Sequence, residues 1–277
     1  MSVSGKVGEI KSALNDYCKV CSEDAIPRIE KAFAPFEDLP SPSAFDTPMS
    51  NATQAMEFLC AGNVSEDPVT RSPMFANPDL GAVNLVGDEL VEWRGEAAES
   101  FRDNVQTPFP YISQNLFIGS AVIAGAIEAE KALWTAVEKD VNDVADKAVE
   151  AAKQLGETGG AEASFLITCA GAVVAVALAP VTAGASVGAA VSIAAVAGGF
   201  SIAGSATSVD WSGDHPDDVA NGVDKGIKEI KGLITEGEGR IRTALAELSS
   251  ALTGHPELFK LGATTLDAGP GGLTGLK

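Results

Sequence analysis

Two histidines, two tyrosines and a 6% aromatic content are what 277 residues offer of the groups from which acid–base and stacking sites are usually built. Both histidines precede prolines. His215 lies before Pro216 among Asp210, Asp214, Asp217 and Asp218, and His255 lies before Pro256 beyond a helical pattern. The acidic spacing around His215 does not follow a calcium loop and fits an acid-rich helix start. No phosphate-binding glycine loop, nucleophile elbow or zinc-protease helix occurs. The sequence therefore predicts a protein that is not an enzyme and carries no cofactor and no metal. Few aromatics with abundant Ala and Gly also disfavour a β-sandwich and suit closely packed helices.

Cations are scarce as well: 19 Lys and Arg against 38 Asp and Glu give a formal charge of −19. Such a field repels phosphate backbones and anionic headgroups, so nucleic acid is not an expected partner. The first twenty residues, with Lys6, Glu9, Lys11 and Asp16, lack the apolar run of a secretory signal peptide. Cysteine is sparse. Cys18 and Cys21 form a Cys-x-x-Cys pair without a second pair, and Cys60 and Cys169 stand at no zinc spacing. They read as small, partly buried helix residues, with a bridge from Cys18 or Cys21 to Cys60 as the alternative in an exported protein.

What the chain does contain is hydrophobic periodicity at three- and four-residue steps. Residues 4–36 read as one amphipathic helix bent at Pro27, with Ile10, Leu14, Ile26, Ile29 and Phe33 on one side. A proline-rich loop and a short helix over 51–61 complete an N-terminal segment, 1–62, and 63–77 is a linker. From Tyr111 to Leu155 the stripe Ile112, Leu116, Ile123, Ile127, Trp134, Val137, Val141, Val144, Ala148, Ala151 and Leu155 predicts a helix of about 67 Å. A second long helix, 216–254, starts at Pro216-Asp217-Asp218. Its stripe is Val219, Val223, Ile227, Ile230, Ile234, Ile241, Leu245, Leu248 and Leu252, with a break expected between Gly237 and Gly239. A flexible tail, 255–277, closes the chain.

Between 78 and 107, two shorter apolar patterns meet at Trp93-Arg94-Gly95, which continues as Glu96-Ala97-Ala98-Glu99-Ser100-Phe101. Gly95 can take a positive φ and reverse the chain, while Trp93 folds across the turn. This stretch resembles the WXG family of small helical-hairpin proteins exported by type VII secretion systems, in which the turn is followed by small residues and then an aromatic. The resemblance implies a helix–helix interaction module of actinobacterial style, with Trp93, Gly95, Ala98 and Phe101 fixing the hairpin and its packing face. It also implies a protein partner, a second copy or a second WXG-like chain, and export by a type VII route. The family's Tyr-Xaa-Xaa-Xaa-Asp/Glu export signal is incomplete, because Tyr111 is followed by Asn115 and Tyr17 by Cys21. Export would then depend on a partner chain, and a cytoplasmic location stays open. A second triplet, Trp211-Ser212-Gly213, lacks the Ala-Ala-Phe continuation and reads as a loop leading into a helix.

The 47 residues from Ala163 to Val209 carry no charge and divide at Pro180 and Gly184. The halves, 164–179 and 185–206, approach or meet the roughly 20 residues needed to cross a hydrocarbon core. An apolar helical hairpin over 157–215 follows, either buried in a bundle or inserted in a membrane. The expected fold is all-α: an elongated helical bundle whose long amphipathic helices, in 78–156 and 216–254, flank this Ala/Gly-rich hairpin. Two functional readings stand beside each other, a WXG-type interaction protein and a membrane-active, pore-forming-like or integral membrane protein.

Overall fold

The computed structural model describes residues 3–18, 22–67, 69–89, 92–158, 161–167 and 207–261. It is mostly helical. The helices are α1 (Val3–Cys18), α2 (Ala25–Phe33), α3 (Asp46–Leu59), α4 (Pro78–Glu89), α5 (Glu96–Phe101), α6 (Phe109–Thr158) and α7 (Pro216–Gly254). Two strands, β1 (Ala161–Ile167) and β2 (Thr207–Gly213), pair antiparallel from Ala161 opposite Gly213 to Ile167 opposite Thr207.

These strands correct two expectations. Residues 164–167 were expected to open an apolar helix, and Trp211 to lie in a loop; both are in the ladder, where Trp211 is the partner of Ala163. The sequence there alternates with period two: Ala161, Ala163, Phe165 and Ile167 interleave with Glu162 and Ser164, and Val209 and Trp211 with Ser208, Asp210 and Ser212. Aromatic and β-branched residues favour that conformation. The hairpin turn expected at Pro180 and Gly184 lies outside the described residues. Among those described, no helix is long and apolar enough to cross a membrane.

The described residues form two compact units, each discontinuous in sequence. The first takes residues 3–46, 129–167 and 207–241. Its core joins Ile10 and Leu14 of α1, Ile26, Ile29 and Phe33 of α2, the row Leu133, Val137, Val141, Val144, Ala148, Ala151 and Leu155 of α6, and Val219, Val223, Ile227 and Ile230 of α7. Steps of three and four keep each row on one helix face. Helices α1 and α2 are separate, not one bent helix. Ser22, between them, donates its hydroxyl to Cys18 O at 2.8 Å, and Pro27 sits in the first turn of α2. Trp134 is partly buried and packs against this core, with its Nε1 donating to Glu130 Oε2 at 3.1 Å, while Leu133 beside it is fully buried. Asp140 of α6 is buried, with Lys139 Nζ 3.7 Å from its carboxylate.

Helix α7 runs through Gly237 and Gly239 without the expected break. Gly237 is buried, Arg240 pairs with Glu236 one turn away, and Ile241 is buried in the next turn. Packing therefore offsets the roughly 1 kcal/mol that each glycine costs a helix. Gly213 has a different reason to be glycine: a Cβ there would collide with the Asp218 side chain. Asp218 Oδ2 accepts the His215 N–H at 3.1 Å, the backward half of a capping box at the start of α7.

The second unit takes residues 47–128 and 242–261. Its buried apolar residues include Met56, Cys60, Val69, Met74, Ile112, Phe117, Ile118, Val122 and Leu248. On α6 this row lies beside the expected one, since Ile123 is exposed while Ala121, Val122 and Ala124 are fully buried. Leu245 and Leu252 of α7, expected inside, are likewise exposed, while Ala244 and Leu248 are buried. Gly119 accommodates Leu248, whose Cδ1 would stand 3.5 Å from an added Cβ.

Candidate interaction site at the tryptophan turn

Helix α4 is set by its cap. Asn77 precedes Pro78 and accepts the Asp79 N–H on Oδ1 at 3.0 Å, satisfying one of the orphan donors of the first turn, while its Nδ2 donates to Phe58 O at 2.8 Å. Ahead of it, the linker is a closed loop. Val64 and Met74 form a two-residue antiparallel bridge, and the chain between them wraps around Asp67. Burial pushes the Asp67 carboxyl up. The Thr70 hydroxyl and the N–H groups of Thr70, Val69 and Ser72 all donate to it and hold it below its ordinary value. The prolines and serines of this stretch pointed to a loop but not to its closure, and the only sequence cue was an Asp followed at two to five residues by Val69, Thr70 and Ser72.

Past α4, Gly95 takes φ +103° and ψ +175° and caps α5. Its carbonyl accepts the Glu99 N–H at 3.1 Å. Trp93 packs against Phe101 in a tilted pair, ring centroids 5.8 Å apart and planes 53° from parallel, within the separation at which aromatic rings attract. The tryptophan thus reaches the end of α5 and stays partly exposed, at 38%. Ala98 is fully buried. The structure brings Trp93, Gly95, Ala98 and Phe101 into one turn, and adds Arg102, which donates from Nε to Ala98 O at 3.2 Å and from Nη2 to Trp93 O at 3.3 Å. Nothing in the Trp-Arg-Gly pattern singles out that arginine.

The second arm differs from the expected helix. Helix α5 has six residues, after which Arg102–Gln106 widens into a π-helical turn closed by Thr107 N–H to Arg102 O at 2.8 Å. The helical stretch stops at Gln106, just before Pro108, and Pro110 lies in the first turn of α6. Helix α4 packs on the π turn.

None of the described side chains of α4 is buried. Leu85 is 63% exposed and Val86 42%. In the same unit Phe58 and Phe75 are also exposed, at 63% and 76%. In the first unit, by contrast, Tyr17 alone of the described large apolar side chains stands out.

Chemistry elsewhere is sparse. Among the described residues no group of three or more His, Cys, Asp and Glu could hold a metal. Cys18 is disulfide-bonded, whereas Cys60 is a free, buried thiol 3.0 Å from Gly62 O. The alternative bridge from Cys18 to Cys60 is therefore not made, and Cys18 is not a simple packing residue. Burial pushes the Cys60 thiol up, against a smaller lowering from hydrogen bonding to the Gly62 backbone. Compared with known proteins, the chain matches no family model, no curated protein and no solved structure.

Proposed function

We propose that this is a non-enzymatic helical interaction protein of the WXG type, linked to type VII secretion, which binds a helical partner chain through α4 and the Trp93 turn. The observation that carries the proposal is α4 itself. It is capped at Asn77-Pro78, yet it leaves Leu85 and Val86 in solvent, and Trp93 of the following turn is exposed as well. A helix of twelve residues is marginal alone in water, and most helical stability comes from packing an apolar face. A partner helix laid along α4 would cover Leu85 and Val86 and use Trp93 as the kind of aromatic anchor that dominates interface energetics. The Trp93-to-Phe101 pattern supports the family reading, and with it secretion by a type VII route.

The test has two parts. Sedimentation should show self-association, or a photo-crosslinker at position 85 should yield one heavier adduct in producing cells, and Leu85→Glu with Val86→Glu should abolish either. A monomer without adduct refutes the interaction surface. Deleting the type VII machinery should remove the protein from culture supernatant, and unchanged extracellular levels refute the export route.

A separate observation carries a membrane-associated reading: 47 consecutive uncharged residues from Ala163 to Val209. Burying this surface in lipid competes with burying it in protein. Liposome leakage, or fractionation with membranes, supports this reading. A soluble protein that releases no dye at any pH tried removes it.

A further inference from the structure

The first unit of this acidic chain has a basic groove among its described residues. Helices α2 and α7 border about 440 Å³ between Arg28 and Lys31 on one side and Lys228 and Lys231 on the other, with Ala32 and Ile227 as its apolar floor and Asp224 as its one acidic lining residue. The cations are spaced by three residues, Arg28 to Lys31 on α2 and Lys225 to Lys228 to Lys231 on α7, which keeps each set on one helix flank.

The pairing of these cations is unlike that of their neighbours. Every other described lysine of this unit has a carboxylate partner: Lys6 with Asp146, Lys11 with Glu30, Lys131 with Asp46, Lys139 with Asp143, Lys147 with Glu150 and Lys153 with Glu9. Among the described residues, Lys31, Lys225 and Lys228 have none, and Lys231 lies 5.8 Å from the centre of the Phe36 ring. Arg28 spans the groove to Asp224 at 2.6 Å and Asn221 at 2.7 Å, which ties α2 to α7. With two carboxylates for every cation in the sequence, a groove whose one lining carboxylate, Asp224, is taken up by Arg28 while its lysines have no carboxylate partner keeps a net positive charge in a negative field.

We propose that the α2–α7 groove is the docking site for an acidic amphipathic helix of a partner chain. Carboxylates three or four residues apart on such a helix stand about 5–6 Å from one another, which matches lysines three residues apart on α7. An apolar side chain between them would cover Ile227 and Ala32. Extended polyanions fit worse. A nucleic acid or a lipid surface would continue past the groove onto Asp217 and Glu30, inside a chain of net charge −19. This surface lies in the first unit and does not depend on the tryptophan turn.

The probe is a fluorescein-labelled synthetic helix of about eighteen residues, with glutamates flanking one leucine stripe, titrated with the full-length protein and read by anisotropy. Saturable binding is expected, weakening as ionic strength rises from about 0.05 to about 0.5 M. Reversing the charges in Lys31→Glu, Lys228→Glu and Lys231→Glu should raise Kd at least about tenfold, the loss of three exposed pairs. The control is Lys11→Glu, Lys147→Glu and Lys153→Glu, which changes net charge equally but removes lysines that already have partners; its Kd should stay within about threefold of the parent. Circular dichroism checks the fold, and Lys31→Glu with Lys228→Glu replaces the triple variant if loss of the Phe36 contact unfolds it. No saturable binding up to about 1 mM peptide, or equal losses in both variants, overturns the proposal. So does tighter, lysine-dependent binding of phosphatidylglycerol vesicles or of an oligothymidylate than of the peptide.

Discussion

Replacing Gly95 by Ala isolates the energy stored in the tryptophan turn. At φ +103° and ψ +175° the residue occupies a backbone region that is essentially confined to glycine. A Cβ built there meets nothing within 4 Å, so the substitution has no steric cost against neighbouring side chains. The whole effect is the local conformational penalty, of order 1–3 kcal/mol. It acts where Gly95 O accepts the Glu99 N–H, the bond that begins α5. Native-state hydrogen exchange at the Glu99 amide is the direct assay, because it reads the opening of that turn without requiring either unit to unfold. A loss of 1–3 kcal/mol corresponds to roughly 5- to 150-fold faster exchange. The internal control is Gly232→Ala, also open to space but inside α7 at a helical φ, where alanine should slow exchange in its own turn by about 0.5–1 kcal/mol. The same chemical change thus has opposite signs at two unhindered glycines. If Gly95→Ala leaves the Glu99 amide as protected as before, the turn is not held in the glycine region and the argument fails.

Asp67 makes the loop at 64–74 acid-sensitive. Its folded pKa lies below the unfolded value of about 3.9, so its contribution is complete above that value and is lost as pH falls through the folded pKa. Asp67→Asn should flatten this acid limb of a stability curve, and an unchanged limb would contradict the assignment. Truncating Leu133, which is fully buried, to Ala should cost about 2–5 kcal/mol in denaturant unfolding, whereas Leu245→Ala at an exposed position should cost less than about 1. Equal costs would mean that the buried row on these helices is wrongly placed. Gly213→Ala should destabilise by about 1–3 kcal/mol through collision with Asp218, measured by thermal melting. In native protein Cys60 should resist a thiol reagent until denaturant is added, and immediate labelling would refute its burial.

Local rules were readable wherever one residue decides the outcome. Pro216-Asp217-Asp218 announces the start of α7, and a glycine two residues after Trp93 suits a positive φ. The long helices α6 and α7 were legible because their apolar steps persist over many turns. Which apolar residues would be buried was less so. Ile123 and Leu245 look like core residues but face water, while Ala121, Ala124 and Ala244 are inside. In an Ala-rich helix the hydrophobic stripe is broad, and the neighbour's shape chooses among adjacent rows. The strands were missed because the absence of charge over 163–209 suggested apolar helices, although their period-two alternation was visible at both ends of the run.

The sequence by itself determined helix identity, the main capping points and the negative field, since these depend on neighbours within a turn or on a sum of charges. Tertiary structure decided what no local window contains: the pairing of Ala161–Ile167 with Thr207–Gly213, the continuity of α7 through its glycines, and the division of α6 and α7 between two units. It also decided which lysines find carboxylates. Composition states that acids outnumber bases, but only the packing of α2 on α7 gathers Lys31, Lys228 and Lys231 around one groove. For the tryptophan turn the division is the same. Gly95 reverses the chain for a local reason, whereas the exposure of Leu85 and Val86 depends on what the rest of the fold leaves uncovered.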